Sequence, residues 1–199
     1  VFPPYFVAGA IYSGFAMVIT LMIIVRAAYK LEDFITMRHL DNMAKITLAT
    51  SLIVVYGYAT EAFYAWYSGN EYEQYMMWNR MFGAAGPFYA ALLICNMVAP
   101  QFLWFRAIRT NIIALFILSI IVNIGMWLER YVIVVTTLER DYMPSAWGQY
   151  VPTLFDWAAY IGTIGQFLVL LALFIRFLPM ISIFELRHLH HHLKHQSAH

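Results

Sequence analysis

The chain has 199 residues, of which 62% are hydrophobic, 18% aromatic and only 12% charged, with a formal net charge of +1. A soluble domain carries about 25% charged residues, so half that load excludes an ordinary soluble fold, and the lack of a basic tract argues against nucleic acid as a partner. The single cysteine, Cys95, excludes a disulfide framework, an iron–sulfur cluster, a Cys-rich zinc site or covalent haem built from this chain alone.

Residue Val1 opens an apolar stretch with neither the charged start nor the small-residue cleavage site of a signal peptide, so the sequence reads as the remainder of a longer protein. Crossing a bilayer takes about 20 helical residues at roughly 1.5 Å each, and five apolar runs meet that length. In chain order they cover about residues 5–28, 42–67, 88–105, 111–135 and 153–178. The expectation is an all-α, polytopic transmembrane helical bundle over residues 1–185, followed by a His-rich cytoplasmic tail at 186–199. Cys95 ends the apolar run 90–95 and reads as a small buried hydrophobe.

The connections alternate in character. Arg26, Lys30, Arg38 and Lys45 flank the first, Arg106 and Arg109 the third, and Arg176, Arg187 and Lys194 follow the last span, which puts nine of the twelve basic residues on one side. Basic loops face the cytoplasm, so the N-terminal end is expected outside and the C-terminus inside. The second connection, 68–87, reads as a loop broken by Gly69, Asn70, Gly83 and Gly86, with Tyr75 and Trp78 as interfacial anchors. The fourth, 136–152, carries Pro144, Trp147 and Tyr150. Such aromatic loops suit either an extramembrane subunit or the headgroup layer. In the tail, His188, His190, His191, His192 and His195 have spacings that would share a helix face, but no carboxylate or cysteine follows Glu185, so no metal site is assigned.

An ionisable group inside a span costs a few kcal/mol on insertion scales and is a functional candidate by default. Glu61 on the second span, Glu129 and Arg130 on the fourth, and Asp156 on the fifth all fall near the expected outer end of their helices. Glu129 and Arg130 are about 100° apart on the helix and should find partners elsewhere, with Glu61 or Asp156 available to Arg130. Either a structural ion pair or a carboxylate that takes up protons in a dehydrated site fits this set. On the second span, Thr47, Thr50, Ser51, Tyr58 and Glu61 share one stripe, as a hydrogen-bonded proton path or interhelical glue would require. Asp41 and Lys45 form an i, i+4 pair at the opposite mouth, close to His39. Six of the seven histidines lie in the tail and His39 at a helix mouth, so no facing pair exists to bind haem b, and no cofactor is expected on this chain.

Five stretches, FPPYFVAGAI (2–11), LEDFITMRHLDNMAK (31–45), NIGMWLERYVIVV (123–135), WGQYVPT (147–153) and FLPMISIFE (177–185), resemble the NrfD/polysulfide-reductase family. The likeness is closest to the larger membrane subunit of bacterial alternative complex III, of which this chain resembles the second half. The resemblance implies an integral subunit of the bacterial inner membrane in a respiratory complex with quinol as substrate. Electrons would pass to an iron–sulfur subunit and a multihaem cytochrome subunit, beside a second NrfD-like membrane subunit, with proton translocation as a further implication. It also implies a quinone pocket built largely from a first helical bundle upstream. The competing readings are a membrane anchor of a molybdoenzyme of the polysulfide reductase type, a proton channel or secondary transporter without a redox role, and a structural anchor.

Overall fold

The computed structural model describes residues 2–139, 143–148 and 150–178. It falls into two units, Val1–Gly148 and Gln149–His199, each treated by itself. All regular structure among the described residues is helical, and five helical segments are long and apolar enough to span a membrane.

The first unit opens with α1 (Phe2–Tyr29) and α2 (Met37–Tyr67). Pro3 and Pro4 sit in the first turn of α1, where the missing N–H groups cost nothing. Next come α3 (Glu71–Phe82) and α4 (Gly86–Leu93). The α4 helix continues as a π turn, Ile94–Val98, and a 3₁₀ stretch, Ala99–Trp104. A single turn, α5 (Arg106–Arg109), leads into α6 (Ile112–Leu138). A 3₁₀ turn, Pro144–Ala146, lies near the end of the unit. In the second unit, α7 (Leu154–Phe177) starts at Thr153, whose backbone N–H and hydroxyl donate to the Asp156 carboxylate at 2.8 and 2.7 Å.

Four spans close into a ring. α1 packs against α2 and α6, α6 packs against α4, and the π and 3₁₀ continuation of α4 returns to α2. Two apolar clusters fill the middle. One gathers Ala8, Tyr12, Val54, Tyr58, Leu92, Val122 and Met126, and the other Ile19, Ile23, Leu40, Leu48, Leu103 and Leu115. Val7, Ile24, Ile53 and Ile113 are exposed on the outside, as side chains facing lipid would be. α1 and α2 approach closely because Gly57 has no side chain: a Cβ there would collide with the Tyr5 ring.

Three features differ from the sequence-based expectation. The 68–87 connection is not a continuous loop: its breakers flank a 12-residue helix, α3, capped by Asn70 Oδ1, which accepts from Tyr72 N at 3.0 Å. Gly69, at φ +65°, makes the left-handed turn between α2 and α3. The third span is not a uniform helix either. Pro100 lacks an N–H and its ring crowds the carbonyl of residue 96, and the chain relieves this by widening into the π turn, where Ala99 N donates to Ile94 O. Finally, α2 starts at Met37 rather than near 42, since its polar first turns hide it from an apolar-run search. The His-rich tail, with Arg187 and Lys194, lies outside the described residues.

Candidate functional site

At the end of the bundle where α1 begins and α2 ends, a polar cluster sits inside the ring. Glu129 on α6 is 2% exposed, on a helix whose other buried neighbours are Leu128, Val132 and Met126. A charge at such depth costs about 2.5–3.5 kcal/mol on insertion scales, so its partners decide whether it can stay. Tyr58 on α2 donates its hydroxyl to Glu129 Oε2 at 2.5 Å. Asn96, at the centre of the π turn and fully buried, donates through Nδ2 to the Tyr58 oxygen at 3.0 Å and contacts Met126 Sδ at 3.6 Å. The Tyr5 ring packs edge-on against Tyr58, 5.8 Å between centroids.

The helix geometry explains how Asn96 gets there. The wide π turn turns it inward, and Gly125 on α6 receives it, because a Cβ at residue 125 would strike the Asn96 amide oxygen and Cys95 Cβ. Two buried polar atoms beside the network, the Tyr12 hydroxyl and Asn96 Oδ1, have no hydrogen-bond partner among the described residues. Buried polar groups are nearly always paired, so each of these unpaired atoms costs stability where it stands.

The remaining candidates separate into distinct groups. Glu61 Oε1 accepts from Arg80 Nη1 of α3 at 2.8 Å, with the arginine side chain 10% and the carboxylate 36% exposed. Arg130, by contrast, is 48% exposed, lies 3.9 Å from Glu129 Oε1 and places its guanidinium over the Phe6 ring at 5.3 Å. The expected pairing of Arg130 with Glu61 is therefore replaced by two arrangements, because α3 brings its own arginine to Glu61. Asp156 belongs to the capping box of α7 and is described within that unit.

At the other end of the ring, Asp41 holds Lys45 at 2.5 Å and Arg109 Nε at 2.8 Å. Arg109 also donates through Nη1 to the Leu103 and Trp104 carbonyls at 2.8 and 3.3 Å, satisfying the end of the broken third span. His39 caps α2, its Nδ1 accepting from Thr36 N at 3.3 Å and lying 2.9 Å from the Thr36 hydroxyl.

Between the two ends run the α2 hydroxyls. Thr47 donates to Met43 O at 2.9 Å, Thr50 to Ile46 O at 2.9 Å, and Ser51 to Leu48 O at 2.7 Å, so each bonds its own helix. Across the core, the Thr20 and Ser119 hydroxyls are 2.9 Å apart, and Asn123 Nδ2 donates to Thr20 at 3.3 Å. A cavity of about 10 Å³ lies beside them, lined by Thr47, Ser119 and apolar side chains, about the space of one water. The hydrophobic runs concealed the α4–α6 contact through Asn96, although Pro100 signalled a helix break. Among the described residues no three His, Cys, Asp or Glu side chains gather as metal ligands would.

Five apolar spans define a multi-pass integral membrane protein, and the four in the first unit enclose a polar network. The chain belongs to the NrfD polysulphide reductase family, whose model matches residues 1–140. It is also similar to the menaquinone reductase integral membrane subunit of Nitratidesulfovibrio vulgaris (strain Hildenborough), with 29% identity over 114 residues, 57% of this chain. That match spans about a quarter (25%) of the relative's length.

Proposed function

We propose that this chain is part of the integral-membrane subunit of a bacterial respiratory complex that exchanges electrons with the quinone pool, oxidising quinol and passing electrons to an iron–sulfur subunit and a multihaem cytochrome. A second NrfD-like membrane subunit completes the assembly, and the resemblance to alternative complex III supports this set of partners. In this reading the α3 end of the ring faces the outside of the inner membrane, and the Asp41–Lys45–Arg109 end faces the cytoplasm, together with the C-terminus. The bias of basic residues supports that orientation.

The observation that carries the reading is the Glu129–Tyr58–Asn96 network buried in a chain of this family. Quinone chemistry moves protons with electrons, and a buried carboxylate bonded to a phenol can hold or release one without a cofactor. Lys45, Asp41, Ser51, Tyr58, Glu129 and Arg130, with Glu61, Asp156 and His39 at the periphery, remain the candidates for a proton path or charge network. A second reading, the same subunit in a complex that reduces quinone, is favoured by the name of the menaquinone reductase relative.

Purification of the intact complex from its native membrane tests the proposal. Haem and iron–sulfur absorbance together with quinol-dependent electron transfer is the expected result. Co-purifying molybdenum favours the molybdoenzyme anchor, and a chain that purifies without redox partners overturns the respiratory reading in favour of a transporter.

A further inference from the structure

A second site lies outside the buried network, at the end of the ring where α3 joins α2 to α4. A cavity of about 930 Å³ opens between α3 and the last turn of α6, lined among others by Glu71, Tyr75, Asn79, Thr137 and Trp147. All of these belong to the first unit. Ligand pockets run about 300–1,000 Å³, so the space takes a molecule rather than a lone ion.

The charge of the wall sets the sign of its occupant. Arg80 reaches the wall but is neutralised by Glu61 at 2.8 Å. The Glu71 carboxylate, in the first turn of α3, has no ion-pair or hydrogen-bond partner among the described residues. The uncompensated charge among the lining residues is therefore negative, which favours a cation. Tyr75 follows Glu71 by four residues and so shares its helix face. Its ring stacks on that of Trp147, 6.4 Å between centroids with the planes 19° apart, and both rings are exposed. A cation within about 6 Å of such a ring face is attracted to it, so a carboxylate beside aromatic faces suits an ammonium group.

Position narrows the source of that ammonium to a lipid. Tyr72, Trp78 and Phe82 are exposed on the same helix, and tyrosine and tryptophan gather at the headgroup layer. Below Thr137, the exposed face of α6 continues through Val134, three residues earlier, as an apolar lane for an acyl chain. Asn79 supplies an amide able to donate to a phosphate diester. We infer that this cavity binds the zwitterionic headgroup of an aminophospholipid, phosphatidylethanolamine, its ammonium held by Glu71 and the Tyr75–Trp147 pair and one acyl chain lying along Val134. An anionic phospholipid lacks the cation and would bring its charge against Glu71. The inference does not depend on the redox reading.

The test uses the intact complex in lipid nanodiscs with a phosphatidylethanolamine that carries a photoreactive diazirine on its acyl chain. Cross-linked peptides are mapped by mass spectrometry. Labelling is expected within residues 71–82 and 134–147, and unlabelled phosphatidylethanolamine should suppress it where an equal amount of phosphatidylglycerol does not. Glu71→Gln keeps the shape of an exposed side chain and removes its charge, and should reduce labelling there about fivefold. Thr137→Trp fills the cavity without changing charge and should remove the labelling. Equal suppression by phosphatidylglycerol, full labelling in either variant, or none in these stretches of the unmodified complex overturns the site. Labelling that appears only after extramembrane partners are stripped away also overturns it, in favour of a partner's basic side chain. Because binding is read from lipid labelling, its failure leaves the respiratory reading standing, and a complex that turns over no quinone leaves the lipid site standing.

Discussion

The hydroxyl of Tyr58 lies 2.5 Å from Glu129 Oε2, joining α2 to α6 through the interior of the bundle. Asn96 fixes the direction of that bond. By donating Nδ2–H to the Tyr58 oxygen it occupies a lone pair there, so the phenol's own proton is left to point at the carboxylate. Tyr58→Phe removes one hydrogen bond from the Glu129 carboxylate and the oxygen that accepts from the Asn96 amide. It should cost about 1–3 kcal/mol and lower the melting temperature of the assembled complex, as thermal unfolding will show.

Glu129→Gln separates structure from chemistry. The amide keeps the shape and can still accept from Tyr58, so assembly should be preserved. Quinone-linked turnover should fall if Glu129 exchanges protons, by about 100-fold or more if it is the general acid–base group. Full turnover in this variant leaves Glu129 a structural role only.

Gly125→Ala tests the close approach of the π turn to α6. The added methyl would overlap the Asn96 amide oxygen and Cys95 Cβ, both on a turn hemmed in by the bundle. Overpacking of this kind costs about 1–3 kcal/mol. Reduced yield of the folded subunit, partly recovered by Asn96→Ala in the same chain, is the expected outcome of a detergent-stability assay.

The two arginines near the cluster should respond differently. Arg130 is half exposed and 3.9 Å from its carboxylate, so Arg130→Met should change stability by about 0–1 kcal/mol. Arg80 is buried against Glu61, and Arg80→Met should be worse than the pair Arg80→Met with Glu61→Gln, since the double variant leaves no unpaired charge. Equal losses in the single and double variants would show that the ion pair is not coupled.

Orientation is checked by labelling. In a Cys95→Ala chain, cysteines at Glu73 and Asp33 lie at opposite ends of the ring, in the first turn of α3 and in the α1–α2 connection respectively. An impermeant maleimide added to intact cells is expected to reach residue 73 but not residue 33. The reverse pattern inverts the topology.

Hydrophobic length alone placed the five spans, because a run of some 20 apolar residues has few other fates. α3 escaped because its sequence, EYEQYMMWNRMF, is too polar to count as a span and sits between glycines that read as loop. Missing that helix also hid the partner of Glu61, since Arg80 was placed in a connection rather than on an ordered face. The conjunction of Tyr58, Asn96 and Glu129 was legible one residue at a time but not as a set. It depends on the phase of the third span, which Pro100 and the π turn alter, and no periodicity in the sequence reports that phase. The Asp41–Lys45 pair, by contrast, follows from local spacing on one helix, where four residues make one turn.

The π turn has a consequence for how this span tolerates change in length. A turn holding one residue more than an α-helix advances the following chain by about 100° relative to a regular helix. The faces before and after Ile94–Val98 are therefore set against each other by that single extra residue. Losing one residue there would let the helix close up regularly and swing Leu103, now 2% exposed in the core, off its place, or else carry Tyr89 and Leu92 away from theirs. A neutral deletion is thus harder to accommodate here than at the 30–36 connection, and insertions or deletions in this span should appear only in compensating pairs.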